Sequence, residues 1–245
     1  MRWRTWLMIL VAMTAAPSVI CAPTTLTAYA EDWPPYNFAE GGKAVGISVD
    51  LLNAACAEAQ LKCRIEIMPW ARALILVQQT PNTVLFTTAR TPERESVFLW
   101  VGPILSRRAW VFGRRGAPRP ANFAGLNAHR TGVVRNDAAE ADLLRRGVRR
   151  DALDESDDAA TNLRKLMRGH IDFVADTEVA IAWQLRQLGE PADFAERLMP
   201  LAEHSDYYYA FNRQSDPELA HRLQLALDHL RRTKALDAIV HRYLP

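Results

Sequence analysis

The chain has 245 residues and few of the features that announce a specialised chemistry. It has only three cysteines, and none of its six histidines stands four residues from another, so no metal or cofactor is expected. Beyond residue 22 no apolar run is long enough to cross a bilayer. Internal repeats and low-complexity segments are missing. Net charge is nearly missing as well: the formal value is +2, and Arg2 and Arg4 account for all of it. A neutral body excludes the electrostatic footprint of a protein drawn to nucleic acid or anionic lipid. What is present is ordinary for a folded soluble chain, 49% hydrophobic and 24% charged, enough for one or two compact domains.

Residues 1–22 read as a secretory signal. Arg2 and Arg4 form a positive start, residues 7–16 an apolar core, and Pro17 and Ser18 break it before small residues. Cleavage near Ala22 implies a periplasmic mature chain. Cys21 raises the alternative of a lipid anchor, against which Ser18 and Ile20 are poor lipobox residues. With Cys21 removed, Cys56 and Cys63 remain, and two cysteines in an exported chain point to one disulfide; two buried thiols are the alternative.

The most informative stretch is Thr87-Thr88-Ala89-Arg90-Thr91-Pro92-Glu93-Arg94. It follows the apolar run Val84-Leu85-Phe86, which reads as a buried strand. Pro92 cannot continue a strand ladder, Thr91 suits a helix N-cap and Pro92 the first helical position. Backbone N–H groups, hydroxyls and two arginines therefore converge in one turn. That combination suits a carboxylate. The alternative is that Arg90 and Arg94 are solvated surface charges.

The rest of the chain alternates between strands and helices. Strands are expected at residues 25–30, 63–68, 110–114, 130–135, 171–175 and 207–211. Helices are expected at residues 48–60, 70–79, 138–146, 158–168, 178–188, 220–231 and 234–243. Between the first strand and first helix, Trp33-Pro34-Pro35-Tyr36 forces an extended loop beside large aromatics, and Gly41-Gly42 marks a hairpin. Asp137 caps the helix after Asn136, with Glu140 three residues on. The opposite-charge blocks at 145–150 and 151–158 read as a solvated helix end and loop.

The order Gly46-Ile-Ser-Val-Asp50-Leu51, Trp70-Ala-Arg72, Thr87 to Arg94 and Val101-Gly102-Pro103 resembles the amino-acid-binding family of bacterial periplasmic solute-binding proteins, the receptors of ABC importers. The resemblance implies an α/β, two-lobed, periplasmic-binding-protein-like (type II) fold with two crossover strands and a ligand cleft. Lobe one would take residues 23–112 and 208–245, and lobe two residues 113–207. Arg94 would hold the ligand carboxylate, assisted by Thr87 and the N–H groups near Arg90. Trp33 and Trp70 would face the ligand, with Tyr36 packed inward. Two positions depart from the pattern. Asn136-Asp137 replaces a Gly-Thr pair that holds the carboxylate, and an Asp there attracts an ammonium group instead. Where the family has a terminal Asp for the α-ammonium, five residues past Asp172, this chain has Thr177, flanked by Asp176 and Glu178.

The implied function is capture of a small carboxylate-bearing, amino-acid-like solute for an importer by a monomeric, non-enzymatic protein. Two alternatives stand beside it. One is a cyclohexadienyl-type dehydratase on the same fold, with Asp176 or Glu178 as acid or base. The other is an accessory protein that presents its ligand to a membrane sensor.

Overall fold

The computed structural model describes residues 25–243. The expected secretory signal and the cleavage site lie outside them. The first half of the chain builds β1 (Thr25–Ala30), the hairpin β2 (Phe38–Glu40) and β3 (Lys43–Val45), α1 (Ile47–Glu58), β4 (Lys62–Ile67), α2 (Trp70–Gln79), β5 (Thr83–Ala89) and β6 (Phe98–Arg114). The second half builds β7 (Thr131–Val134), α3 (Ala138–Arg145), β8 (Leu153–Ser156), α4 (Ala159–Met167), β9 (Phe173–Thr177), α5 (Glu178–Gln187), β10 (Ala195–Asn212), α6 (Pro217–Arg232) and α7 (Ala235–His241).

Eight strands form one sheet in the order β4-β1-β5-β10-β6-β9-β7-β8. The outer strands pair in parallel, β4 with β1 with β5 on one side and β9 with β7 with β8 on the other. The two long central strands, β6 and β10, run antiparallel to each other and to their neighbours. They carry the chain out of the first lobe and back, so each half of the sheet has its own helices and core. One core gathers Leu26, Leu51, Phe86, Tyr209, Phe211 and Leu223. Two smaller clusters around Phe173 and Val174 cover the two faces of the other half-sheet. Strand β5 is buried along its whole length, which explains its unbroken apolar run.

Three features differ from the sequence expectation. Trp110 to Arg114 and Tyr207 to Phe211 are the ends of 17- and 18-residue strands; Pro103, Pro200 and the Arg107-Arg108 pair interrupt the apolar alternation that would have revealed their length. The block from Asp151 to Asp158 is no solvated loop, because β8 lies within it. Its charges survive at the sheet edge because Asp154 and Glu155 pair with Arg130, Lys165 and Arg135. No helix starts at Thr91-Pro92. A run of turns fills residues 92–97, with Arg94 N–H donating to the Thr91 carbonyl at 3.0 Å, because Phe98 must already enter the buried strand.

Cys56 and Cys63 form a disulfide that ties α1 to β4. The start of α1 positions the loop from Glu31 to Asn37. Amide N–H groups of Ile47 and Ser48 donate to the carbonyls of Pro35 and Tyr36 at 2.9 and 2.8 Å. Gly46 permits this approach with φ of 119°, and a Cβ there would stand 2.6 Å from the Tyr36 oxygen. Gly46→Ala is therefore expected to destabilise the protein by at least about 2 kcal/mol, a fall of about 4–8 °C in the unfolding midpoint. An unchanged midpoint in a calorimetric scan would show that the loop is not held this way.

Candidate functional site

The carboxyl ends of β1, β4 and β5 face the N-terminal ends of α3, α4 and α5 across the boundary between the half-sheets. Ala138, Ala159 and Ala180, from the first turns of those three helices, pack into the first lobe's core. Each helix start is already capped by its own side chain: Asp137 accepts from Ala138 N–H, Asp158 from Thr161 N–H at 2.7 Å, and Thr177 from Ala180 N–H at 3.2 Å. Two of these caps are carboxylates on positive helix ends, the favourable sign for the dipole.

Trp33 and Tyr36 come from the loop after β1 and are both buried. Their rings lie 4.4 Å apart, with Tyr207 edge-on to both. The Trp33 indole N–H donates to Asp176 Oδ1 at 3.1 Å, and the Tyr36 hydroxyl to Thr177 Oγ1 at 3.4 Å. Trp70, at the start of α2, donates its indole N–H to the Asn136 carbonyl at 2.9 Å. Arg94 lies over the Trp70 ring, its guanidinium carbon 5.0 Å from the centroid. It donates from Nη2 to the same Asn136 carbonyl at 2.8 Å and from Nη1 to Ala89 O at 3.3 Å. A guanidinium has five N–H donors, and among the described residues Arg94 uses two of them.

The remaining expected site residues divide. Asp137 and Asp176 join this boundary. Asp176 accepts from Thr177 N–H at 2.7 Å as well as from Trp33. Burial, reinforced by the neighbouring charge of Asp137, pushes its carboxyl up to about 7. Thr87 is buried, but its hydroxyl donates to Asn37 Oδ1 at 2.6 Å, so it positions a neighbour and offers no proton to a ligand. Arg90 is turned elsewhere. It chelates Glu95 from Nε at 2.7 Å and lies over Trp100 and Tyr208, on an exposed face where that acid is its nearest partner. Glu178 is also turned away: it pairs with Arg197 at 2.8 Å and lines an outer cavity with Ile181 and Arg119. The helix caps in the preceding residue, Thr177, and the next side chain is rotated off the boundary.

Sequence reasoning passed over Glu31, Asn37 and Arg107, and noted Asn136 only as part of the departure from the family pattern. Asn37 donates to the Glu31 carbonyl at 2.7 Å, so Thr87 and Asn37 together fix the backbone of Glu31. The Glu31 side chain is buried, near enough to Arg94 for that guanidinium to favour its carboxylate. Burial first, then Asp137 and Asp176, raise its carboxyl well above the ordinary range. Arg107, on β6, is buried and bound to Asp142 at 2.7 Å; Asp142 also holds Arg145, which reaches Glu93 at 2.6 Å. None of these has a local signature, apart from two adjacent acids before a tryptophan. Among the described residues no cluster has the makings of a metal site.

The profile of the bacterial extracellular solute-binding proteins, family 3, matches residues 26–245. The comparison with curated proteins finds no match. Among solved structures, a histidine kinase sensor domain with similarity to periplasmic binding proteins superposes with a TM-score of 0.82 at 22% identity, covering 91% of this chain and 96% of that one. An ancestral arginine-binding protein bound to arginine gives 0.80 at 19%, covering 90% and 98%. An ancestral amino acid-binding protein, a precursor of cyclohexadienyl dehydratase, gives 0.76 at 16%, covering 90% and 95%. These likenesses establish the two-lobed periplasmic-binding-protein-like fold.

The raised Asp176 carboxyl carries a linkage. The folded state holds this proton more tightly than the unfolded state, so the group's stabilisation is complete below pH 4 and is lost as pH rises through about 7. Asp176→Asn keeps an acceptor for Trp33 and Thr177 and removes the titration. The variant is expected to gain stability over the wild type between pH 5 and pH 8, by up to a few kcal/mol at about 1.4 kcal/mol per pKa unit. Parallel stability profiles for the two proteins would contradict the assignment.

Proposed function

Since the chain belongs to family 3 of the bacterial extracellular solute-binding proteins, we propose that it captures a small carboxylate-bearing, amino-acid-like solute between its lobes and delivers it to an ABC importer. Lobe one comprises residues 23–112 and 208–245, lobe two residues 113–207, and the chain works as a periplasmic monomer after loss of residues 1–22. The observation that carries this reading is Arg94. It is stacked on Trp70 at the boundary, bonded across it to Asn136, and retains free donors for a carboxylate. Trp33 and Trp70 supply apolar walls, and Asp137 and Asp176 are the second-lobe acids placed for an ammonium group. A ligand touching both lobes favours the closed pair because only that state makes both sets of contacts.

Two other readings stand beside this one. Delivery to a sensor in place of a permease uses the same closure and the same Arg94. A dehydratase reading is favoured by one observation, the carboxyl of Asp176 near 7 in the cleft, in the range suited to a general acid. Turnover of prephenate by the purified chain would establish it, and its absence would leave binding alone.

The ligand is identified by thermal shift of the refolded protein, since a solute at a hundred times its Kd adds about 2.7 kcal/mol of stability. Arg94→Ala is then expected to weaken that solute by about 2–5 kcal/mol, some 30-fold to several-thousand-fold. Arg90→Ala is expected to leave affinity unchanged. A loss below about threefold in Arg94→Ala, at 1.4 kcal/mol per tenfold, would refute the carboxylate role.

A further inference from the structure

Closing the cleft gathers more acid than base at the lobe boundary. The first lobe brings Glu31, from the loop after β1. The second brings Asp137 and Asp158, at the starts of α3 and α4, and Asp176 near the end of β9. Glu31 and Asp176 are both buried. Of the cations facing them, Arg94 favours the carboxylate of Glu31 and Arg107 that of Asp176. Arg107 is already bound to Asp142 at 2.7 Å, and the hydrogen bonds of Arg94 among the described residues go to two backbone carbonyls. Asp158 also faces Asp32 and Arg164. The other charges nearby pair among themselves: Glu93 with Arg145, Glu140 with Arg150 and Glu178 with Arg197. Tyr36 and Tyr207, which flank Asp176, stay uncharged because burial holds both phenols above their ordinary range.

Contacts between the lobes help to bury these acids. Asp176 Oδ1 accepts from the Trp33 indole at 3.1 Å, and Thr177 Oγ1 accepts from the Tyr36 hydroxyl at 3.4 Å. Opening the lobes breaks both bonds, admits water to the two carboxyls and separates Glu31 from Asp137, Asp158 and Asp176. Arg94 stays with Glu31, because both belong to the first lobe. The acids that disfavour the Glu31 carboxylate thus face it only in the closed state, while the cation that favours it is there in both. Asp176 keeps Asp137 as a neighbour on its own lobe and loses the cover of the β1 loop.

We propose that closure of the lobes takes up protons, held on Glu31 and Asp176, so that acidity closes the cleft and alkalinity opens it. This rests on the reading of the cleft as one that opens and closes around a solute, and it adds the proton as a second ligand of the closed state. In the closed state the Asp176 carboxyl stands at about 7 and that of Glu31 well above its ordinary range. Exposed to water, both return to about 4. The proton therefore favours closure fully below about pH 4, and that advantage is lost as pH rises through 7 and beyond. Each linked proton changes the closed-to-open ratio by up to about tenfold per pH unit within that interval.

The test is single-molecule energy transfer on the refolded protein lacking residues 1–22, with no solute added. Dyes are placed on Ile75→Cys in α2 and Leu188→Cys after α5, both exposed positions on different lobes. Cys56 and Cys63 stay unlabelled in their disulfide. The closed-to-open ratio is expected to fall at least about tenfold between about pH 5.5 and pH 7.5. Glu31→Gln and Asp176→Asn imitate the protonated groups. Each is expected to raise the closed share at the alkaline end and flatten the profile, and the double variant to remove the pH dependence. A wild-type profile that both variants retain places the proton elsewhere and overturns the inference. Variants that lower the ratio by the same factor at every pH overturn it as well, as a purely structural effect. Two populations whose ratio ignores pH overturn it and leave the receptor reading standing. A single population at every pH overturns both the inference and the closure on which the receptor reading depends.

Discussion

One backbone oxygen ties a tryptophan and an arginine of the first lobe to the second. The Asn136 carbonyl accepts from the Trp70 indole and from the Arg94 guanidinium, both on the opposite lobe. A hydrogen bond to a charged donor contributes about 1.5–3 kcal/mol and a neutral one about 0.5–1.5. Asn136 can present that oxygen because it adopts φ of 60°, a left-handed conformation that asparagine tolerates better than most residues. The family pattern places a Gly-Thr pair here, and glycine reaches the same backbone without penalty. The departure in sequence thus preserves the turn and replaces the following hydroxyl with the carboxylate of Asp137.

That replacement changes the electrostatics of everything around it. Burial raises the carboxyls of Asp176 and Glu31 at this boundary, and the charge of Asp137 adds to it. Each helix start of the second lobe has one N–H group taken by its own cap; on the proposed reading Arg94 of the first lobe meets the ligand carboxylate and the neighbouring acids face the other end of the solute. The Trp33–Asp176 and Tyr36–Thr177 bonds close the same boundary from the side of the β1 loop. A ligand entering between these groups exchanges protein contacts for its own, and only solutes that satisfy both lobes do so without loss.

Much of the scaffold was legible in the chain because its signals are local. The bounds of β1 and α2 and the turn at Gly41-Gly42 follow from alternation, periodicity and turn chemistry, and the disulfide from cysteine arithmetic. The long strands β6 and β10 were hidden because prolines and arginines interrupt their pattern, and β8 because its charges are neutralised by partners distant in sequence. Within the site, the turn carrying Arg94 announced itself by composition. Glu31 did not, since the charges that surround it, Asp137 and Asp176, are more than a hundred residues away in the chain. Arg90 and Glu178 show the converse: the right residue types sit beside the boundary in sequence, but Glu95 and Arg197 hold them on other faces.

The most direct measurement is a crystal structure of the protein with the solute that most raises its unfolding temperature. The account predicts the solute enclosed by both lobes, its carboxylate on Arg94 donors, any ammonium group facing Asp137 or Asp176, and the Trp33 ring against its body. A solute held by one lobe alone, or one whose carboxylate lies away from Arg94, would contradict it.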